Sequence, residues 1–342
     1  MTNMTAAVWT DTETLEIQTL PLPDIPDDFV LLKVAHVGIC GTDLAIYHGQ
    51  HPRAQHGLIM GHEISGWIVD PERGLDKLGP LVVAEPLISC GSCGTCLSGN
   101  RHVCQNLGLF GIDEPGALAE YVALPERILH RVRPHIDTTV ATLAEPLAVA
   151  VHALAMSAMK TGDIVGVYGA GPIGLLTAIM ARHTGAHSVI ITDPSPWRRK
   201  VARDFGFTVV EPEQTMEAMA LELTHGNGFD LVFDAAGYPS VVAELTKVVR
   251  IRGQIVIVGV HKTPVPIDLR DVCFKEIDMV GVRVYTTEDF VEAVALINDG
   301  ELELEHFPIQ SFVLDNAEAA FISAARGTDC LKVLISPSGA KS

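Results

Sequence analysis

The chain has 342 residues, 48 % of them apolar and only 19 % charged, with 42 acidic against 24 basic side chains and a formal charge of −18. That length exceeds one ordinary hydrophobic core, so two domains are expected, and the acidity repels polyanions, which excludes nucleic acid and anionic membrane surfaces as partners. The opening MTNMTAAVWTDTETLEIQ lacks a basic stretch followed by an apolar one, and no apolar run is long enough to span a bilayer, so a cytoplasmic protein is expected.

In chain order, residues 1–36 read as short strands, Ala6–Trp9, Leu15–Gln18 and Phe29–Ala35, around the proline-rich PLPDIPDD. From about 58 to 135, apolar stretches at Ile64–Val69, Leu81–Ala84, Ala117–Ala123 and Ile128–Val132 alternate with glycine and proline and show no long helical period. They predict an irregular, mostly-β domain. Near 140, TVATLAEPLAVAVHALAMSA spaces its apolar residues as a helix does, with Pro146 ending or kinking the first piece. Beyond it, strands at Ile164–Tyr168, Ser188–Thr192, Phe207–Val210, Asp230–Phe233 and Gln254–Val258 are separated by helices at 172–184, 196–204, 213–224 and 239–250. This alternation predicts a parallel, doubly wound sheet. Helices at 288–299 and 315–325 and a strand at Leu331–Ile335 close the chain, which has no internal repeat.

The first alternating unit contains IVGVYGAGPIGLLTAIMARHTG, where Gly169, Gly171 and Gly174 form G-x-G-x-x-G between a strand and a helix. The first glycine permits the tight turn, the second lets backbone amides approach a pyrophosphate, and the third allows close helix–strand packing. Asp193 ends the next strand in SVIITDPS, where its carboxylate can accept from ribose hydroxyls and would repel a 2′-phosphate. NAD is therefore favoured over NADP. Arg198, beside Arg199 and Lys200, reads either as part of a solvated helix face or as a guanidinium lying over the adenine.

Seven cysteines in so long a chain do not make a disulfide scaffold, yet four of them cluster in CGSCGTCLSGNRHVC. Cys90, Cys93, Cys96 and Cys104 give C-x2-C-x2-C-x7-C, which fits a closed tetrahedral zinc site of structural type; an iron–sulfur cluster is the alternative. A second set is scattered, as suits a catalytic metal with an open position: Cys40 in VGICGTD, His62 and Glu63 in MGHE, and Glu145 in AEPLAVAVH. Taken singly, these read as a buried thiol, a surface histidine and a helix N-terminal acid.

In this order, G-I-C-G-T-D, G-H-E, the four-cysteine lobe, E-P-L-A and G-A-G-P-I-G make essentially the whole chain resemble the zinc-dependent medium-chain alcohol and polyol dehydrogenases. E-P-L-A with V-Y-T-T-E-D-F at 284–290 is most similar to the sorbitol, butanediol and threonine dehydrogenase branches. The resemblance implies an α/β protein. A GroES-like, mostly-β catalytic domain would span 1–150 with 287–342 returning to it, and a Rossmann NAD-binding domain would span 151–286, with the active site in the cleft between them. It implies two zinc ions per chain. The catalytic one would bind Cys40, His62 and Glu63, with Glu145 approaching directly or through water and exchanging places with Glu63; the structural one would bind the four clustered cysteines. Asp43 would accept from the ligand histidine. Gly169, Gly171, Pro172, Ile173, Gly174, Asp193, Arg198, Val258, Gly259 and Val260 would hold NAD, the last three passing the nicotinamide.

The reaction so implied is hydride transfer between NAD and a secondary alcohol, a polyol or related hydroxy compound, through a zinc-bound alkoxide. Zinc would lower the alcohol pKa toward about 7, and Thr42 would take the proton and pass it outward through the cofactor ribose. Relatives often place a histidine two residues past the motif aspartate, but here the residue is Ala45; His48 and His51 read either as substitutes at the end of the relay or as loop histidines with no catalytic role. The Arg-Tyr pair of the sorbitol branch is split as Arg283, Val284, Tyr285 after Gly281-Val282. Phe110 and Leu118 read as pocket wall or core, and His152 as an ordinary helix histidine. Threonine 3-dehydrogenase-like or butanediol activity is the near alternative; a zinc-free quinone or enoyl reductase and a non-catalytic cofactor-binding protein are the distant ones. By analogy a homo-oligomer, dimer or tetramer, is expected.

Overall fold

The structure, a computed structural model, describes residues 2–337. The chain divides into two compact units, one running to Glu145 and resuming at Thr286, the other Pro146–Tyr285.

The first unit is built on the strand Phe29–Gly38, whose nearly unbroken apolar run FVLLKVAHVG is buried on both faces. One edge pairs antiparallel with Glu63–Val69. On the other edge its first half meets Tyr121–Pro125 and its last residues meet Lys332–Ser336. Leu81–Ala84, Leu129–Arg131 and Ile309–Val313 extend this seven-stranded sheet, while Asn3–Asp11 lies between Thr14–Pro21 and Leu58–Ile59 in a separate one. Leu32, Val34, Ile46, Met60, Leu118 and Phe321 belong to a single core cluster.

Two details of this unit, and one at the helix that leads out of it, differ from the sequence pattern. A short helix, Gly41–Tyr47, follows the long strand, too brief to give a helical period. Ala117–Ala119 is buried but makes only an isolated bridge to Ala6, and the expected strand begins at Tyr121. The helix break falls before Pro146, between Thr138–Ala141 and Ala144–Ala155; the proline sits in the first turn of the second helix, where its missing N–H costs nothing.

The long strand continues past Ala35 through His36, which is shielded from solvent and paired through Nδ1 with Thr138 Oγ1 at 2.9 Å. Ser65 extends this polar cluster, its hydroxyl 2.8 Å from Thr142 Oγ1 and 2.9 Å from the Thr138 carbonyl it donates to. Burial lowers the His36 pKa from its usual 6.5, with Asp137 opposing. The folded chain therefore binds this proton less readily than the unfolded one, and stability is lost as pH falls from about 6.5 toward the lowered value. Urea unfolding between neutral and mildly acid pH is expected to show that loss, and His36→Gln to lessen it; an unchanged slope in the variant would assign the loss elsewhere.

The second unit carries a six-stranded, wholly parallel sheet in the order Thr208–Val209, Ser188–Thr192, Ile164–Tyr168, Phe229–Asp234, Val249–Ile257, Asp278–Gly281. Counted along the chain this is third, second, first, fourth, fifth, sixth, so the order reverses between the first and fourth strands. A crevice at their carboxyl ends is where such sheets take ligands. The helices Pro172–His183, Pro196–Asp204, Met216–Leu223 and Pro239–Val248 alternate with the strands, and a core of Ile190, Phe229, Val232, Leu245 and Ile255 underlies the sheet. The sequence pattern predicts neither the helix Leu269–Phe274 nor the edge strand Asp278–Gly281: both are short and largely exposed, so no buried stripe betrays them. Among the described residues no helix is long and apolar enough to cross a membrane.

Candidate active site

Cys40 caps the helix Gly41–Tyr47, and its amide donates to Asp43 Oδ2 at 2.8 Å. The same carboxylate turns Oδ1 to the Gly61 amide at 3.3 Å and to His62 Nδ1 at 3.5 Å. Gly61 takes φ +95°, a conformation glycine favours, and delivers His62 and Glu63 to the start of Glu63–Val69. Candidate ligand atoms of Cys40, His62 and Glu63 thereby lie within 4.8 Å of one another. Burial opposes a charge on His62, but Asp43 and then Cys40 outweigh it and hold the imidazole pKa well above its ordinary value.

Glu63 is 1 % exposed, and its Oε1 is ion-paired with the Nζ of Lys332, itself only 4 % exposed. Burial lowers the lysine pKa, while Glu63, Cys40 and Glu145 raise it, with the net shift upward. Among the described residues Glu63 Oε2 is shielded and has no hydrogen-bond partner, whereas His62 Nδ1 faces Asp43. Buried polar groups left in that state cost about 1–3 kcal/mol each, a cost that a divalent cation would offset. Thiolate, imidazole and carboxylate are also the donor set zinc takes, so these residues fit the ion.

Glu145 is buried in the first turn of Ala144–Ala155 and outside that ligand group, though its charge reaches Lys332. The Thr42 hydroxyl lies 4.0 Å from Cys40 Sγ. His48 is a correction to the expected relay, because its Nδ1 pairs with Glu13 Oε1 at 2.9 Å on the exposed side. His51 uses Nδ1 to cap its own loop at the Arg53 and Ala54 amides; burial and Arg53 lower its pKa, with Asp113 and Asp43 opposing. Phe110 and Leu118 are core residues. Val284, at φ +46°, separates exposed Arg283 from buried Tyr285. Sequence reasoning missed Lys332, although a lysine inside CLKVLIS is itself a signal, since a strand that apolar is buried and the charge needs a partner.

The four-cysteine lobe brings Cys90, Cys93, Cys96 and Cys104 within the same 4.8 Å limit as free thiols. The Sγ separations are 3.9 Å for Cys90–Cys96, 3.8 Å for Cys93–Cys104 and 3.4 Å for Cys90–Cys104. A tetrahedron of about 2.3 Å zinc–sulfur bonds has edges of about 3.8 Å, so two of these separations match a zinc site and the third needs only a small widening. A hydrogen bond with Thr95, then backbone donors, bring the Cys93 thiol down to about 5, and backbone donors bring Cys90 to about 7.

In the second unit, Gly169 turns at φ +99° and Gly171 ends the turn without a side-chain cap on the helix Pro172–His183. Asp193 Oδ2 accepts from the Ala170 amide and Oδ1 from Ser195, each at 2.8 Å. Arg198 Nη1 stands 3.9 Å from Asp193 Oδ2 and would lie 3.5 Å from a Cβ on Gly171. The uncapped helix start, the glycine cradle and the acid beyond it fit a dinucleotide. At the switch point Asp234, buried, accepts from the Ala236 and Gly237 amides, and its carbonyl from Val258 and Gly259. His261 Nε2 closes on its other oxygen at 2.9 Å. Gly259 packs so closely that a Cβ would fall 2.4 Å from the Gly237 amide, whereas Val260 is 89 % exposed. Sequence reasoning missed Asp234 and His261; the signal was an acid ending FDLVFD as Asp193 follows SVIIT.

A thiolate–imidazole–carboxylate trio in a mostly-β unit, with a dinucleotide turn in a parallel α/β unit, defines a zinc- and nicotinamide-linked oxidoreductase. Residues 26–134 match the alcohol dehydrogenase GroES-like domain and residues 172–299 the zinc-binding dehydrogenase family. The chain is 37 % identical to the 2-dehydro-3-deoxy-L-galactonate 5-dehydrogenase of Pseudoalteromonas atlantica over 90 % of its length and 91 % of that protein's. It is 30 % identical to the sorbitol dehydrogenase of Bacillus subtilis, over 98 % of each. The crystal structure of 2R,3R-butanediol dehydrogenase from Bacillus subtilis superposes with a TM-score of 0.89 at 28 % identity, covering 98 % of this chain and 100 % of that one. The chain belongs to the zinc-dependent medium-chain alcohol dehydrogenase family and is an oxidoreductase acting on secondary alcohols.

Proposed function

We propose that the chain transfers hydride between NAD and a secondary alcohol carbon of a polyol or related polyhydroxy compound. The observation that carries this reading is the convergence of half-buried Cys40 with buried His62 and Glu63, whose candidate ligand atoms lie within 4.8 Å of one another. Held there, a zinc ion would supply a Lewis acid for the alcohol oxygen, and bound NAD would supply the hydride acceptor. Thr42 takes the alcohol proton, and Asp43 fixes the orientation of His62. His51 lies in the loop that follows the helix Gly41–Tyr47, its Nδ1 engaged by the Arg53 and Ala54 amides. Glu145 adds negative charge toward Lys332 and would approach a bound zinc directly or through water, exchanging places with Glu63. A second zinc on Cys90, Cys93, Cys96 and Cys104 has a structural role. The first unit is the catalytic domain and Pro146–Tyr285 holds the nucleotide.

The three relatives named above act on a sugar acid, a polyol and a diol, as their names state, and a polyhydroxy substrate is what these three share, while L-threonine 3-dehydrogenases such as that of Bacillus subtilis, 33 % identical, keep L-threonine as the near alternative. The reading includes a cytoplasmic homo-oligomer, dimer or tetramer. Support for association comes from the edge strand Asp278–Gly281, with Met279 exposed on it and Leu269 and Phe274 exposed on the preceding helix, a surface that a second copy would cover.

The test is a panel of simple secondary alcohols, polyols, cyclitols, sugar acids and L-threonine, followed by reduced-cofactor absorbance. Turnover confined to L-threonine or to simple alcohols would overturn the polyhydroxy assignment. Because Asp193 would face the 2′-phosphate, NAD is expected to exceed NADP in kcat/KM by about a hundredfold, roughly 2.7 kcal/mol. Asp193→Asn is expected to narrow that gap, and equal use of NADP by the unaltered enzyme would refute it.

A further inference from the structure

Lys332 stands in the strand Lys332–Ser336, where every side chain is shielded from solvent. Its ammonium reaches the Ile39 carbonyl at 3.2 Å and Glu63 Oε1. The second carboxylate oxygen, Oε2, has no hydrogen-bond partner and fills the space beside Gly38. A Cβ on Gly38 would fall 2.0 Å from that oxygen and 3.0 Å from Lys332 Cε. Gly38 is not among the residues with positive φ, so its backbone does not require glycine. What requires it is room for the pair. The register places Gly38 opposite Glu63 on one neighbouring strand and opposite Leu334 on the other, so three strands build the cradle.

We propose that Lys332 and Gly38 are positioning residues that keep Glu63 a half-committed ligand of the catalytic metal, one oxygen held on the ammonium and the other left for the ion. The proposal rests on Cys40, His62 and Glu63 being the metal site. A carboxylate that shares its charge with an ammonium donates less to a metal than a free one, and such outer partners tune metal affinity by about ten- to a hundredfold. Lys332 thus makes Glu63 easy to displace, which an ion that must also accept substrate requires.

The experiment follows zinc release from the full-length protein to a chromogenic chelator, with circular dichroism as the check on folding. Lys332→Gln keeps a donor for Glu63 and Ile39 but removes the charge; release from the catalytic site is expected to slow by about tenfold, and release from the cysteine lobe to stay as it was. Lys332→Arg keeps the charge, and with it the fold, but its fork can occupy both carboxylate oxygens, so it is expected to speed release. In a Glu63→Gln background both effects should vanish. Release at the wild-type rate from Lys332→Arg, or unchanged or faster release from folded Lys332→Gln, overturns the proposal. Wild-type protein that binds zinc only at the cysteine lobe would overturn the metal site itself, and the proposal with it.

Discussion

Cys40→Ala is expected to lose one of two zinc ions per chain and to lower turnover by about a thousandfold or more while leaving the fold in place. Lewis-acid stabilisation is worth several kcal/mol, and about 1.4 kcal/mol is one decade of rate. The fold should survive because the stronger half of the local cap is kept: the backbone N–H of residue 40 is what the Asp43 carboxylate holds at the start of Gly41–Tyr47, and only the weak thiol contact with the N3 amide is lost. That amide remains in the alanine variant. The thiol, half-buried, faces the imidazole of His62 and the hydroxyl of Thr42. Elemental analysis should find zinc only at the cysteine lobe, and saturating alcohol should not restore the rate. A variant with one zinc per chain and undiminished turnover would end the metal-assisted reading.

The features legible in the sequence are those in which one short segment carries both the residue type and its spacing. The cysteine lobe is of this kind, its four thiols coming from fifteen consecutive residues, and so is the turn from Gly169 to Gly174. The Cys40, His62 and Glu63 set was readable only because each residue lies in its own motif. What the sequence hid was set by pairing between distant strands. Nothing near Gly38 announces that it faces Glu63, or that residue 332 will send an ammonium between them; only the register of three strands does so. His261 was hidden for the same reason, its partner Asp234 ending a different strand. His48 misled because it is close in sequence to the active segment, while the hydrogen bond with Glu13 that turns it outward comes from the preceding hairpin.

Two glycines of the dinucleotide turn should respond oppositely to the same added methyl group. At Gly174 a Cβ would lie 1.9 Å from the Gly169 carbonyl oxygen, which belongs to the backbone and cannot step aside. Gly174→Ala should therefore damage the folded unit whether or not cofactor is present, by about 1–3 kcal/mol of overpacking. At Gly171 the contact a Cβ would make, among the described residues outside the turn itself, is with the flexible guanidinium of Arg198 at 3.5 Å, and the φ of −70° suits alanine. Gly171→Ala should melt as the wild type does. Its cost should appear only when a pyrophosphate has to approach the backbone: losing one charge-assisted hydrogen bond, about 1.5–3 kcal/mol, weakens NADH binding by about ten- to a hundredfold. Thermal melting separates the two variants, and NADH fluorescence titration measures the second effect. Native NADH affinity in Gly171→Ala would mean that the phosphates do not lie against this turn, and Asp193 and Arg198 would then lose their assigned ligand as well.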